Sequence, residues 1–276
     1  MINYNGSFLP SNSLLSASNR SFLYGDGVFD TLKVVNNKIL FLEDHYFRLM
    51  ASMRIVRMQI PTNFTLEFIE NQILNTATKN NCGDSARIRF TVFRNDGGFY
   101  TPETRTISYV IHASALESKI YSISNADYEV DLYKDFFISK QLLSTIKTTN
   151  KMINITGGIY AQENDLQNCL LLNNEKNVVE ALNGNLFMLM GNILITPPID
   201  EGCLNGIIRK QILAIARKIE ELEVFEKPIS PFDLQKADEL FITNVITGIQ
   251  PITKYRKKSY TTNLANQLLI KLNELV

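Results

Sequence analysis

Only Asn36-Asn37 separates two β-branched and apolar runs, residues 31–35 and 38–42. Parallel neighbours in a sheet need a crossover of a dozen or more residues, so a two-residue link forces these runs into an antiparallel hairpin. Gly191-Asn192 divides residues 186–190 from 193–196 in the same way. Helical spacing appears between such pairs: Phe47, Met50, Ala51 and Ile55 share a stripe over 43–56, and Leu66, Ile69, Ile73 and Leu74 share one over 65–79. Residues 87–93 and 106–112 read as strands joined by a Gly-rich loop at 95–102. Further helices are expected at 150–164, 205–222 and 263–275, with strands at 170–172, 178–180 and 239–244. Strand pairs mixed with helices, without regular β–α alternation, predict an α+β (mixed α/β) fold in place of a doubly wound sheet. The patterning loosens over 113–124, which predicts a smaller domain over 1–117, a linker at 118–124 and a larger domain over 125–276.

The chain of 276 residues is 45% hydrophobic and 20% charged, enough to build two cores without disulfides or metals. Its 28 basic and 28 acidic residues cancel, so no nucleic-acid partner is expected. The first residues carry Asn3, Asn5 and Ser7 where a signal peptide would need an apolar run, and no stretch is apolar for long enough to predict a membrane span. Cys82, Cys169 and Cys203 lack CxxC spacing and read as reduced thiols of a cytoplasmic protein. His45 and His112 are the only histidines and lie far apart, so no metal site is expected.

Four local patterns could carry chemistry. Tyr24-Gly25-Asp26-Gly27-Val28-Phe29-Asp30-Thr31 is a double-Gly turn entering a strand. His45-Tyr46-Phe47-Arg48 places an arginine, suited to phosphate oxygens, on the first long helix. Ser144-Thr145-Ile146-Lys147-Thr148-Thr149-Asn150 offers a lysine among hydroxyls, and Val178-Val179-Glu180 follows about thirty residues later. Gly202-Cys203-Leu204-Asn205-Gly206-Ile207-Ile208-Arg209 marks a helix start, whose unpaired N–H groups favour anions. Taken singly, the first three read better as a turn, a surface ion pair and an ordinary lysine, and the fourth reads about as well as an ordinary cap.

In this order, however, the four patterns resemble the class IV (fold type IV) pyridoxal-phosphate enzymes. That family includes branched-chain aminotransferases, D-amino-acid aminotransferases and aminodeoxychorismate lyases. The resemblance implies a two-domain fold type IV enzyme with pyridoxal 5'-phosphate as cofactor. Residue by residue, it implies Lys147 as the Schiff-base lysine and catalytic base, Glu180 as the partner of the pyridine nitrogen and Arg48 as the phosphate clamp. It also implies Leu204 against the ring, Gly206, Ile207 and Ile208 as backbone phosphate donors, and Asn244 and Val245 in a second phosphate-side loop. Phe29 would line the substrate pocket, and Arg89 and Arg94 are the candidates for the substrate carboxylate. Ile208 and Val245 stand where relatives tend to have hydroxyl residues, with Thr243 and Thr247 nearby as replacements.

The activity so implied is transfer of an amino group between an amino acid, of branched-chain or D-amino-acid type, and a 2-oxo acid. Asn150 and the loop after Arg94 lean toward the alternative, a lyase releasing pyruvate and 4-aminobenzoate for folate synthesis. A non-catalytic binding relative is the remote alternative. The resemblance further implies a homodimer.

Overall fold

The computed structural model describes residues 1–13, 16–124 and 126–276. Asn125, the expected first residue of the second domain, lies outside the described residues. The chain divides into two compact units, Met1–Lys119 with Ile146–Asn150, and Ile120–Thr145 with Lys151–Val276. The stretch bearing Lys147 thus belongs to the first unit, whereas the sequence pattern places it in the second domain. Main-chain pairing is the reason: Phe29 N–H donates to Lys147 O at 2.8 Å, Thr149 N–H donates to Gly27 O at 2.9 Å, and Val28 bridges Thr148.

In the first unit the elements run β1 (Ile2–Tyr4), β2 (Ser7–Leu9), α1 (Arg20–Tyr24), β3 (Gly27–Val35), β4 (Lys38–Ile39), α2 (Leu42–Ile55), α3 (Leu66–Lys79), β5 (Ser85–Arg94) and β6 (Ile107–Ala115). Among the described residues they form a six-stranded antiparallel sheet in the order β2-β1-β6-β5-β3-β4. Asn36 and Asn37 both take positive φ, 49° and 58°, the two-residue turn that suits a twisted hairpin. Alternate residues of β3 and β5, including Val28, Leu32, Val34, Ile88, Phe90 and Val92, bury one sheet face against α2 and α3. Thr65 starts α3 by accepting the Phe68 N–H at 3.2 Å.

The buried stripe of α2 differs from the expected one. Met50 is buried, but Phe47 and Ala51 face solvent, and His45, Leu49, Ser52 and Met53 face the core. A stripe drawn from apolar residues alone misses His45 and Ser52, which the core accepts because His45 Nδ1 meets Asp30 and the Ser52 hydroxyl is bonded within the helix. Ser52 Oγ donates back to Arg48 O at 2.7 Å.

The second unit contains β7 (Glu129–Ile138), α4 (Met152–Glu163), β8 (Asn168–Asn173), β9 (Val178–Ala181), β10 (Gly184–Met190), β11 (Ile193–Thr196), α5 (Ile207–Ala216), β12 (Glu223–Glu226), β13 (Glu239–Asn244), β14 (Gly248–Ile252), β15 (Lys254–Tyr255), β16 (Lys258–Ser259) and α6 (Asn263–Asn273). Its strands follow the order β12-β11-β10-β9-β8-β7-β15-β16, with β13 joined to β10 and β14. Parallel pairs (β7 with β8, β11 with β12, β15 with β7) sit among antiparallel ones, so the sheet is mixed. Helix α5 stops at Ala216, short of the expected residue 222, because residues 223–226 are drawn into the sheet beside β11. Among the described residues, no helix is long and apolar enough to cross a membrane.

Candidate active site

Asp30 leaves β3 on the core side and meets α2, where His45 and Arg48 stand three residues apart on one face. Its carboxylate accepts from Arg48 Nε at 3.1 Å, from Arg48 Nη2 and from His45 Nδ1 at 3.1 Å. A carboxylate only accepts, so the proton of that last contact lies on Nδ1. Burial opposes the charge of Asp30, but Arg48 and His45 outweigh it and hold the carboxyl well below its usual range. Arg48, the expected phosphate clamp, therefore has its Nε–Nη2 edge oriented by Asp30. The sequence reading missed Asp30 although it lies within the quoted motif; an acidic residue between Val28 and Leu32 in a buried strand was the available signal.

On the opposite face of β3 the structure brings three expected residues together. Phe29 presents its ring to the Arg89 guanidinium, whose carbon lies 3.6 Å from the ring centre, and to Lys147 Nζ at 5.0 Å. Strand register explains the first contact: Phe29 faces Thr91 and Thr31 faces Arg89 across β3 and β5. His112 faces Arg89 from β6, and Lys33 faces Arg87 from β3. Burial, and Arg87 second to it, disfavour the charged form of Arg89; burial and then Arg89 push His112 down. Lys33 is buried as well, and burial lowers its pKa. This face is therefore cationic and partly dehydrated, a setting that favours an anionic ligand. Lys33 was not among the expected site residues, although a lone lysine in an apolar strand marks it.

Arg94 has a different environment from the one expected. Its Nε donates to Asp26 Oδ2 at 3.0 Å, its Nη1 to Arg57 O at 3.2 Å and its Nη2 to Val56 O at 2.7 Å. Asp26 also accepts from Arg20 Nε at 2.9 Å, and Arg20 Nη1 donates to Phe99 O at 2.6 Å. Arg94 is thereby a strut between the double-Gly turn and the end of α2.

In the second unit the β9–β10 hairpin places Glu180 directly opposite Asn185. Glu180 Oε2 accepts the Leu204 N–H at 2.8 Å, and Asn185 Nδ2 donates to Leu204 O at 2.7 Å. The two side chains thus grip both polar groups of one peptide position just before α5. A Cβ on Gly206 would overlap Asn185 Oδ1, so only glycine fits this approach. Gly206 caps α5 without a side-chain hydrogen bond, leaving the amides of Ile207 and Ile208 to other acceptors. Asn185 escaped the sequence reading because nothing in its spacing points to Leu204. Asn185→Ala is expected to destabilise the protein by about 1–3 kcal/mol, since it leaves the Leu204 carbonyl without its buried donor. A chemical-denaturation midpoint equal to that of the parent would contradict this.

Asn244 ends β13 and turns its Oδ1 inward to accept the N–H groups of Ile246 and Thr247, both at 3.0 Å. Val245 O accepts from Tyr121 Oη at 2.8 Å, and Gly248 leaves room for that ring, since a Cβ there would meet Tyr121 Cγ at 2.6 Å. The Asn244 side chain and the Val245 carbonyl therefore shape the loop. Thr243, paired with Asn185 in register, holds a buried Oγ1 that has no hydrogen-bond partner among the described residues.

The sequence model of the amino-transferase class IV family matches residues 27–255. A Methanocaldococcus jannaschii protein assigned as a branched-chain-amino-acid aminotransferase is 27% identical over 98% of this chain and 93% of its own. A D-alanine aminotransferase of Listeria monocytogenes is 26% identical over 88% of this chain and 82% of its own. The fold is that of the branched-chain amino acid aminotransferase of Thermobaculum terrenum, solved in its PLP form, with a TM-score of 0.84 at 22% identity over 99% of this chain and 92% of the other.

Proposed function

This chain belongs to the class IV aminotransferase family, and on that premise we propose that it exchanges an amino group between an amino acid, of branched-chain or D-amino-acid type, and a 2-oxo acid, using pyridoxal 5'-phosphate. The residues fit a group with a phosphate and a basic ring nitrogen. The start of α5 has no side-chain cap, and the buried Thr243 hydroxyl lacks a partner. Phosphate is assigned to Arg48 and to the amides after Gly206, with Asn244 and Val245 shaping the second loop. Glu180 is assigned to the ring nitrogen and Leu204 to the ring face. The cofactor, when bound, supplies an aldehyde for the amino group and a ring that delocalises the electrons left at Cα.

The chain's own residues do the rest. Lys147 Nζ would hold the cofactor and, as a free amine, would accept the proton from the substrate Cα. Arg89 draws in the substrate carboxylate, and Phe29 gives the reacting carbon an apolar wall. The carboxylate of Glu180 favours a protonated ring nitrogen by charge pairing. The observation that carries this reading is the meeting of Lys147 and Arg89 on the ring of Phe29, which sets a base and a carboxylate ligand on one aromatic group. Buried, unpaired Cys82, Cys169 and Cys203 support a reducing, cytoplasmic location. The strongly exposed Phe22, Phe99 and Tyr100 of the first unit support a homodimer, and a monomeric mass by light scattering would remove that part.

Half-reaction spectra test the activity. Mixing the cofactor-loaded protein with L-leucine or with D-alanine is expected to convert the bound cofactor to its pyridoxamine form with one of them. Conversion by neither, together with pyruvate release from aminodeoxychorismate, would replace transamination with the lyase reading.

A further inference from the structure

Among the described residues, positive φ outside glycine falls mostly on Asn and Asp, which tolerate it; the exceptions are Phe41, Arg57, Lys176 and Arg256. Arg57 follows α2, where a left-handed residue commonly closes a helix, and Phe41 is the N-cap of that helix. Lys176 (φ 67°) lies in the β8–β9 turn and Arg256 (φ 56°) in the β15–β16 turn. Both are hairpin turns, which call for left-handed residues, and glycine would take the two positions at less steric cost than a long cationic side chain. Both line the same cavity of about 410 Å³ in the second unit, and Lys134 of β7 joins them there. Two turns that place long cationic side chains where glycine fits better, both against one cavity, point to use of those side chains.

The cavity has two kinds of wall. Leu132, Leu172, Phe137 and the strongly exposed Phe232 supply apolar and aromatic surface. Lys134, Lys176 and Arg256 supply positive charge, and no lining residue is acidic. Asp131 pairs with Arg256 at 3.3 Å, which leaves the two lysines as the excess charge. Lys176 Nζ already lies 3.4 Å from the centre of the Phe137 ring, so its ammonium is held at the apolar wall. We propose that this cavity binds a small aromatic carboxylate, with its ring on the Leu132–Leu172–Phe137 wall and its carboxylate among Lys134, Lys176 and Arg256. An open cavity of this size suits a one- or two-ring ligand. The site is independent of Lys147 and of the transamination reading.

Calorimetric titration of the purified full chain with naphthalene-2-carboxylate, against neutral 2-naphthamide, tests it. The carboxylate is expected to bind at least about tenfold more tightly than the amide, as burying one charge-assisted hydrogen bond implies. Lys176→Gly, Arg256→Gly and Lys134→Met are each expected to weaken the carboxylate about tenfold. The two glycine variants should melt at the parent temperature or about 1–3 °C above it, because glycine suits their backbone. Equal binding of the amide, unchanged affinity in all three variants, or no binding at millimolar carboxylate would each overturn the proposal. A lower melting temperature in both glycine variants would overturn the reading that glycine fits these turns better.

Discussion

Lys147→Ala is expected to lower the rate of amino-group exchange by at least about 10³-fold, the scale of losing a positioned general base together with a covalent attachment point. The protein should still fold. What holds residues 146–150 on β3 is main chain: Phe29 N–H to Lys147 O and Thr149 N–H to Gly27 O survive the change to alanine. The Arg89–Phe29 contact also survives, since neither partner is altered. Initial rates with saturating amino acid, together with a melting curve, separate the two effects. Borohydride reduction of the parent protein should attach the cofactor to the peptide containing Lys147, and the variant should give no such adduct. Residual activity within tenfold of the parent, or an adduct on another lysine, would remove Lys147 from the chemistry.

The second large effect concerns stability. Asp30→Asn keeps the shape of the side chain but removes the charge facing Arg48, and breaking a buried pair on one side costs about 3 kcal/mol. For a chain of this size that is about 6–12 °C of melting temperature. The pH dependence has a definite sign. The folded carboxyl of Asp30 is held below its ordinary value of about 3.9, so its stabilising contribution is complete above that pH and is lost as pH falls through the lower folded value. The gap between parent and variant should therefore be level from about pH 5 to 8 and should narrow below about pH 4. A gap that persists unchanged into acid would show that Asp30 acts by packing and not by charge.

Local chemistry made parts of this molecule legible in advance. Asn36-Asn37 announced its hairpin because two residues leave the chain a single way to turn, and the apolar stripe over 65–79 announced α3. The ordered motifs pointed to the class IV aminotransferase family. What stayed hidden depends on partners far away in sequence. Nothing near Arg94 reveals that Asp26, Val56 and Arg57 will occupy its guanidinium. The resemblance named Arg89 without its surroundings, and only the fold shows it lying over Phe29. Asn185 carries no local mark of its grip on Leu204. The apolar stripe assigned to α2 was rotated away from the true one because His45 and Ser52 are buried polar residues, and a hydrophobic pattern gives no weight to these.

The pairing of residues 146–150 with β3 also matters while the chain is being made. Strand β4 covers β3 only at Val34 and Val35, so the end at Gly27–Phe29 depends on the later segment for its neighbour on that side. Synthesis runs from the N-terminus, and domains tend to fold as they emerge. Until Asn150 leaves the ribosome, that end of β3 is a bare strand edge, open to addition by another nascent chain. The interval between translating Phe29 and translating Thr149 is thus a window in which that edge is open to mispairing.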